Sequence, residues 1–530
     1  MLLALILASG SVTPKIKPVP VPLGDTKLVS ADLQSKTNPL CIDDLPSIKF
    51  ALKVVGSQSI CLPSDLVANS TAISKPSQFV IKGLPDVVQV AKLNSPSIQS
   101  SIYSYDSAVF TNKYSWRSAI GFQVNVSPFV PQWQGVNENY YDPTNKTSSY
   151  KYSYKTLNSG ISASLNILDL PSIFLAKASD FTRLSQASAT NASALETLTS
   201  AASSFIELWL YKQLLSIAQA NIKYSIQALN STVGQYQVGL LAIPDVAQVL
   251  TQLRSYQANY SSSVNSYNTS FANFCSLVGV SPDRIYIPDQ LPTVVGANTP
   301  FPLNISDTKN QALLLNDTIR EYIQTSDQYA NLSKSALSNY LPLVTANASY
   351  SGYNQYYTVD QTEFGRRPFT DESNNLLKDR TWQATLNVTW LLFDTFANKN
   401  LADSYKLKKD SYRQLALQQY QNVVSTADQY YSSYLSSMNT TKLNQSALEA
   451  AGKSYQATLI ASQAGFSNTT ALVQVLQQVA SAQQSVAQSL ASLYTSNSNL
   501  QSLTKSGVYE NALPIYVNYS EKSINDMQSN

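Results

Sequence analysis

The spacing of apolar residues changes twice within each half of the chain, and the longest stretches have a helical period. Residues 171–238 continue a helical pattern with almost no glycine or proline, which predicts one very long helix. A second helix is predicted over 244–278, where LVGVSPD supplies a Gly-then-Pro stop signal. Between the two helices lies QYQVGLLAIPDVAQVL (235–250), in which Gly239 can end one helix and Pro244 can begin the next.

The same order of events follows in the second half. A helix is predicted over 306–338, a long helix over 395–463 and a return helix over 470–505, with the break in SQAGFSNTTALVQVLQ (462–477). The return helix carries an apolar stripe at three- and four-residue spacing, and its other positions are Ser, Gln, Ala and Asn. Such an uncharged polar face suits a helix that lines water, and it equally suits an ordinary exposed face.

Four segments have a period of two, which predicts β-strands. Each has one apolar face with aromatic residues near its ends and one polar face; the segments are 115–126, 150–167, 342–352 and 381–390. They are long enough to cross a bilayer when tilted. Soluble sandwich strands alternate too, but strand pairs isolated between very long helices favour a membrane β-barrel. Four strands cannot close a barrel, so the chain must oligomerise, with two copies supplying about 8 strands or three about 12.

These elements predict a mainly α protein with a membrane β-barrel, built from a duplicated helix–strand–strand–helix–helix unit. The first repeat is assigned to residues 71–295 and the second to 296–510, followed by a C-terminal tail at 511–530. Residues 1–70 form a Pro-rich N-terminal arm. The arm opens with MLLALILASG, which resembles the end of a secretory signal peptide.

Composition excludes several classes of function. The 530 residues carry a net charge of +3, and charged residues are 13% of the chain, so no basic patch is present for a nucleic acid. The chain has no histidine, which removes the commonest general base and metal ligand. We therefore predict that the protein is not an enzyme and has no cofactor and no metal site.

The three cysteines have no metal-binding spacing. Cys41 and Cys61 could form a disulfide in an oxidising compartment, or they could be two unpaired thiols. Cys275 lies alone within a helical pattern and is predicted to be a packed core residue.

Three segments carry a resemblance to the TolC-like outer membrane efflux protein family over roughly residues 80–510. LPDVVQVAKLNSPSIQSS resembles the family's repeat-opening helix, LNVTWLLFDTFANKNLADSYKLKKD its strand-to-helix junction, and YQVGLLAIPDVAQVLTQLRSYQANY its helix–turn–helix tip. The resemblance implies a homotrimer with a 12-stranded β-barrel in outer membrane lipid and a 12-helix barrel in the periplasm. It also implies an exit duct for tripartite efflux or type I secretion, working with a periplasmic adaptor protein and an inner membrane pump of the RND, ABC or MFS type.

The resemblance also gives roles to the two helix breaks. They would be periplasmic tips on which the adaptor docks, formed by Tyr236, Val238, Gly239, Leu240, Ala464, Gly465 and Phe466. A helix stop explains the same glycines, and a docking tip also needs a turn. The Asp245 carboxylate would interact favourably with the positive N-terminal end of its helix. The resemblance implies that it would also help to hold a closed gate. Gln474 and Gln477 stand where some family members carry two aspartates that bind cations, so this gate should be mostly uncharged.

A secreted or viral-type coiled-coil stalk glycoprotein is the competing interpretation, because the chain contains many Asn-x-Ser/Thr sequences. Several of them fall within predicted packed elements, including Asn125 and Asn387, where a glycan would disrupt the structure.

Overall fold

The computed structural model describes residues 43–59, 79–140, 148–287, 301–361, 370–371, 379–464 and 466–515. The signal-like start, both cysteines of the possible disulfide (Cys41 and Cys61), Gly465 and the tail after residue 515 lie outside these ranges.

Helices make up most of the described chain. They are α1 (Pro46–Val55), α2 (Leu84–Asn94), α3 (Pro96–Ile120), α4 (Leu170–Gln237), α5 (Ile243–Val278), α6 (Ile305–Leu314), α7 (Asp317–Ser338), α8 (Ala397–Gln463) and α9 (Thr469–Leu503). The predictions for α4, α5, α8 and α9 are confirmed to within two residues at each end. The predicted helix over 306–338 is divided into α6 and α7. Among the described residues, no helix has both the length and the apolar character required to cross a membrane.

The strands form two sheets. A short parallel pair joins β1 (Phe79–Val80) to β4 (Ile285–Tyr286). The larger sheet is antiparallel and contains β2 (Gln123–Tyr140), β3 (Ser148–Leu168), β5 (Leu343–Gln361), β6 (Thr370–Asp371) and β7 (Asp379–Thr389). Its order is β2-β3-β5-β7, and the short β6 also pairs with β5. In the described pairings β2 and β7 each have a single partner, so both edges of this sheet are open.

Two strands differ from their predictions. The strand predicted over 342–352 continues to Gln361, and the strand predicted over 115–126 begins later and continues to Tyr140. Residues 115–120 were predicted as strand, but they form the last turns of α3, and β2 begins only at Gln123. The Asp180 carboxylate on α4 explains the difference, because it accepts hydrogen bonds from Asn112 (2.8 Å) and the Trp116 indole (3.1 Å) and so holds this part of α3 helical. Gly121 then ends the helix with a φ of +62°. The strand continues through Pro131, which an edge strand tolerates.

The register of the larger sheet gathers apolar residues of four strands on one face. Val126 lies opposite Ile161, Ile161 opposite Tyr350, and Tyr350 opposite Trp382. The same face also carries Val124, Ala163, Leu165, Val344, Ala346, Ala348, Ala384, Leu386 and Val388. The opposite face is polar throughout this region and carries Gln123, Asn125, Ser162, Ser164, Thr345, Asn347, Ser349, Thr381, Gln383, Thr385 and Asn387.

The described chain divides into two compact units, and the sheet belongs to the unit made of residues 102–190 and 317–420. In this unit, hydrogen bonds connect neighbouring helices in the order α3, α4, α7, α8. Besides the Asp180 contacts between α3 and α4, Ser188 donates to Gln324 (2.9 Å) between α4 and α7, and Ser326 donates to the Lys409 carbonyl (3.1 Å) between α7 and α8. The two outer helices expose apolar side chains, namely Tyr103, Phe110 and Tyr114 on α3 and Leu401, Leu407, Leu415 and Leu417 on α8.

The other unit contains residues 43–101, 191–316 and 421–515 of the described chain. Its long helices pack through aromatic pairs, such as Trp209 on α4 with Tyr494 on α9 (ring centroids 5.3 Å apart). Cys275 is buried on α5, beside the Phe205–Phe274 ring contact, as predicted for a core residue. Burial raises the pKa of its thiol to about 11.

Candidate functional site

The first predicted tip is a turn between α4 and α5. Gly239 has a φ of +81°, and its N–H donates to the Tyr236 carbonyl (3.0 Å), while the Leu240 N–H donates to the Gln235 carbonyl (2.9 Å). This closes α4 in the manner of a left-handed C-terminal cap. The turn exposes Val238 and Leu240, whose accessible fractions are 71% and 70%.

Asp245 stands in the first turn of α5, directly after Pro244. Its carboxylate accepts a hydrogen bond from the backbone N–H of Ala242 (3.1 Å), which satisfies one of the free donors at the start of the helix. Because its oxygen bonds within its own turn, Asp245 acts here as a helix-capping residue.

The second predicted tip lies between α8 and α9. The Ala464 N–H donates to the Ile460 carbonyl (3.0 Å), and the Asn468 side chain caps α9 by accepting from the Ala471 N–H (2.8 Å). Phe466 is 89% exposed, an unusual position for a large apolar ring. Gly465 lies outside the described residues.

The structure brings the two tips together. The Gln235 side chain donates to the Ser462 carbonyl (2.5 Å) between α4 and α8, and Gln477 on α9 donates to Gln252 on α5 (2.8 Å). A longer bond joins Thr470 to Gln248 (3.4 Å). All the side chains in these bonds are uncharged, so hydrogen bonding rather than ion pairing joins the two hairpins near their tips.

The predicted gate residues occupy different environments. Gln474 and Gln477 are both exposed on α9, but only Gln477 bonds across to α5. The Gln474 side chain makes no hydrogen bond to a described residue. No described hydrogen bond joins Asp245 to either glutamine. The predicted set therefore divides into a capping acid, a bridging amide and a free amide.

The α5 residues that accept these hydrogen bonds were not predicted from the sequence. Gln248 and Gln252 were unremarked, although their spacing of four residues places them on one face of α5. The neighbour of Tyr236 was not predicted either: the Tyr236 ring lies 6.2 Å from that of Phe50 on α1. Tyr236 is consequently half-buried, unlike Val238 and Leu240.

Part of the helical core in the same unit is formed by tyrosine side chains whose rings are in contact. The rings of Tyr224 and Tyr455 lie 5.5 Å apart, and burial raises the pKa of Tyr455 to about 12. This hydroxyl therefore stays protonated at physiological pH. Among the described residues, no group of His, Cys, Asp and Glu is arranged to hold a metal ion.

Comparison of the whole chain places its fold in the class of TolC-like outer membrane channels, and the resemblance inferred from the sequence is confirmed at the level of fold. No protein-family model matches the sequence, and no curated protein matches it either.

Several of the similar structures are outer membrane channels. CusC, whose structures describe transmembrane channel formation, aligns with a TM-score of 0.65 and 14% identity over 84% of this chain and 98% of its own. The open state of the Neisseria gonorrhoeae MtrE channel aligns with a TM-score of 0.64 and 14% identity, over 81% and 90% of the two chains. The Campylobacter jejuni CmeC channel aligns with a TM-score of 0.60 and 14% identity, over 89% and 96%.

Proposed function

We propose that this protein is the outer membrane exit duct of a tripartite efflux pump or type I secretion system. Three copies form a 12-stranded β-barrel in the outer membrane and a 12-helix barrel in the periplasm. The duct conducts its cargo passively, and the energy comes from an inner membrane pump of the RND, ABC or MFS type. The two repeats, 71–295 and 296–510, arise by internal duplication.

The single observation that carries this proposal is the two-faced sheet with two open edges. Its apolar face is continuous across four strands, and its other face carries only polar residues over the same rows. A sheet with an apolar outside and a wet inside is the pattern of a membrane barrel. Lipid cannot satisfy the free N–H and C=O groups of an open edge, so β2 of one copy must pair with β7 of another.

The helices in the unit that contains the sheet also support closure of the barrel by further copies. The outer helices α3 and α8 each expose apolar side chains, and an apolar surface of this kind on both flanks favours head-to-tail association. In a closed ring, the aromatic face of α3 would pack against the leucine face of α8 from the next copy.

Two matched substitutions test the barrel. Leu386→Arg places a charge on the apolar face of β7, while Asn387→Arg places it one residue further on the polar face. A lipid-facing arginine costs about 2–4 kcal/mol near the bilayer midplane. We expect L386R to reduce the heat-modifiable oligomer in the outer membrane fraction and N387R to leave it intact. Equal behaviour of the two variants, or a wild-type chain that never forms such an oligomer, would contradict the proposal and favour the stalk glycoprotein.

We further propose that the exposed tip residues bind the periplasmic adaptor. Val238, Leu240 and Phe466 offer apolar side chains to solvent at two turns that lie in one unit, and apolar anchors of this kind dominate protein–protein interfaces. We expect L240D and F466D to abolish export while the oligomer remains at its normal level. The conservative variants L240M and F466L are the controls and should retain export. Unchanged export in both aspartate variants would overturn the assignment of the docking site.

A further inference from the structure

The N-terminal arm contributes a helix to the first tip. α1 lies against α4 and α5, and its own residues Ile48 and Ala51 are fully buried on the face that packs there. Its Phe50 ring packs at 6.2 Å from Tyr236, only three residues before Gly239, and the Ser47 hydroxyl donates a hydrogen bond to Asn230. The sequence pattern had suggested an extended arm with no defined role.

A buried ion pair fixes this helix in place. The Asp43 carboxylate, whose side chain is 4% exposed, lies 2.8 Å from the Arg254 guanidinium on α5 and also accepts from Ser59 (3.2 Å). A buried charge that loses its partner is strongly destabilising. Because this pair holds a residue shortly before α1, and α1 itself buries an apolar face, the helix forms a fixed part of the tip and not a detachable strap.

The tips have almost no charge of their own. Asp245 is the sole charged residue from 224 to 253, and there is none from 454 to 504. The Asp245 carboxylate is engaged in capping α5. α1 adds two exposed cations beside these stretches, Lys49 and Lys53. Lys49 also pairs with Asp44 (2.9 Å), but both side chains are more than half exposed and the pair is screened by solvent.

We propose that α1 joins α4 and α5 as a third helix of the adaptor-docking surface at the first tip. Its Lys49 and Lys53 select an adaptor whose helical hairpin carries acidic side chains. This inference rests on the proposed function as an exit duct. Apolar contacts at Val238, Leu240 and Phe466 supply affinity that would suit many adaptors. Charge complementarity discriminates among partners and speeds their encounter, so the basic face of α1 supplies the selectivity that the uncharged tips lack.

The test uses the full-length protein in detergent or nanodiscs and each periplasmic adaptor encoded in the source genome, purified singly. We expect K49E/K53E to weaken binding of the preferred adaptor at least tenfold at 50 mM salt, and much less at 300 mM salt, because salt screens exposed charges. The matched control is K442E/K453E, which makes the same change of charge at exposed positions of α8. We expect the control to bind as the wild type does.

A charge exchange completes the experiment. Replacing acidic residues of the preferred adaptor's hairpin by lysine should restore binding to K49E/K53E. If wild type binds an adaptor and K49E/K53E binds it equally well, the role of α1 is wrong and the duct proposal stands. The role of α1 is also wrong if K442E/K453E weakens binding as much as K49E/K53E does. If wild type binds none of the adaptors, both proposals fail.

Discussion

The amide bridge between Gln477 and Gln252 offers the sharpest test of how the proposed gate is held closed. We propose that opening of the duct separates the α8–α9 tip from the α4–α5 tip, which the bridge joins at 2.8 Å. Gln477→Ala removes it and leaves Gln252 on a half-exposed position of α5. We expect the variant to open more often than the wild type.

The size of the effect follows from the bond. A typical hydrogen bond contributes about 0.5–1.5 kcal/mol net. Because Gln477 is exposed, we take the lower part of this range, about 0.5–1 kcal/mol. Three copies then lose about 1.5–3 kcal/mol of closed-state stability. At about 1.4 kcal/mol for each factor of ten, the opening equilibrium should shift by roughly 10- to 100-fold.

Single-channel recording in planar bilayers measures the open fraction directly. The control is Gln474→Ala, which removes the same side-chain volume one turn earlier on α9 but no described hydrogen bond. Comparison with this control separates loss of the bridge from widening of the pore. An open fraction for Q477A no greater than that of Q474A would refute the reasoning.

Four further outcomes follow from local structure. The buried Tyr455 hydroxyl has no hydrogen-bond partner among the described residues, so Tyr455→Phe should raise the free energy of unfolding by about 1 kcal/mol, and a lower value would contradict this. Gly239→Ala should cost about 1–2 kcal/mol because of its positive φ alone, since a Cβ there would meet nothing within 4 Å. Gly279→Ala should cost more, because its Cβ would lie 2.4 Å from the Asn94 carbonyl oxygen; equal melting temperatures for the two alanine variants would refute this. The Cys275 thiol should resist alkylation at pH 8 in the folded protein and react in denaturant. Its folded-state pKa of about 11 exceeds the ordinary 9.0, so its contribution to stability should be lost as the pH rises through this window.

Much of the architecture was predictable because its signals are local. The long helices α4 and α8 follow from uninterrupted helical periods, and α5 begins where Pro244 can enter a first turn. Strands β3 and β7 were predicted to within about two residues at each end from alternation alone. The exposed Val238 and Leu240 also follow from the sequence, since a short turn between two very long helices cannot bury them.

The first strand shows where a local signal fails. The alternation from Ser115 to Val126 is compatible with a strand, but a carboxylate on another helix decides the outcome for its first half. Asp180 is more than 60 residues away in sequence, yet it binds both Asn112 and Trp116. A period of two over a few residues cannot outweigh a tertiary contact of this kind.

The sequence by itself determined most of the element types, the apolar and polar faces of the strands, the low charge of the tips and the exclusion of histidine chemistry. Each of these depends on residues that are close in sequence or on composition. Only the tertiary structure decided which faces meet: the register that joins Val126, Ile161, Tyr350 and Trp382 in one row, the Gln477–Gln252 bridge, and the seat of α1 beside Tyr236. These contacts join residues far apart along the chain, and the spacing within any one segment carries no information about its distant partner.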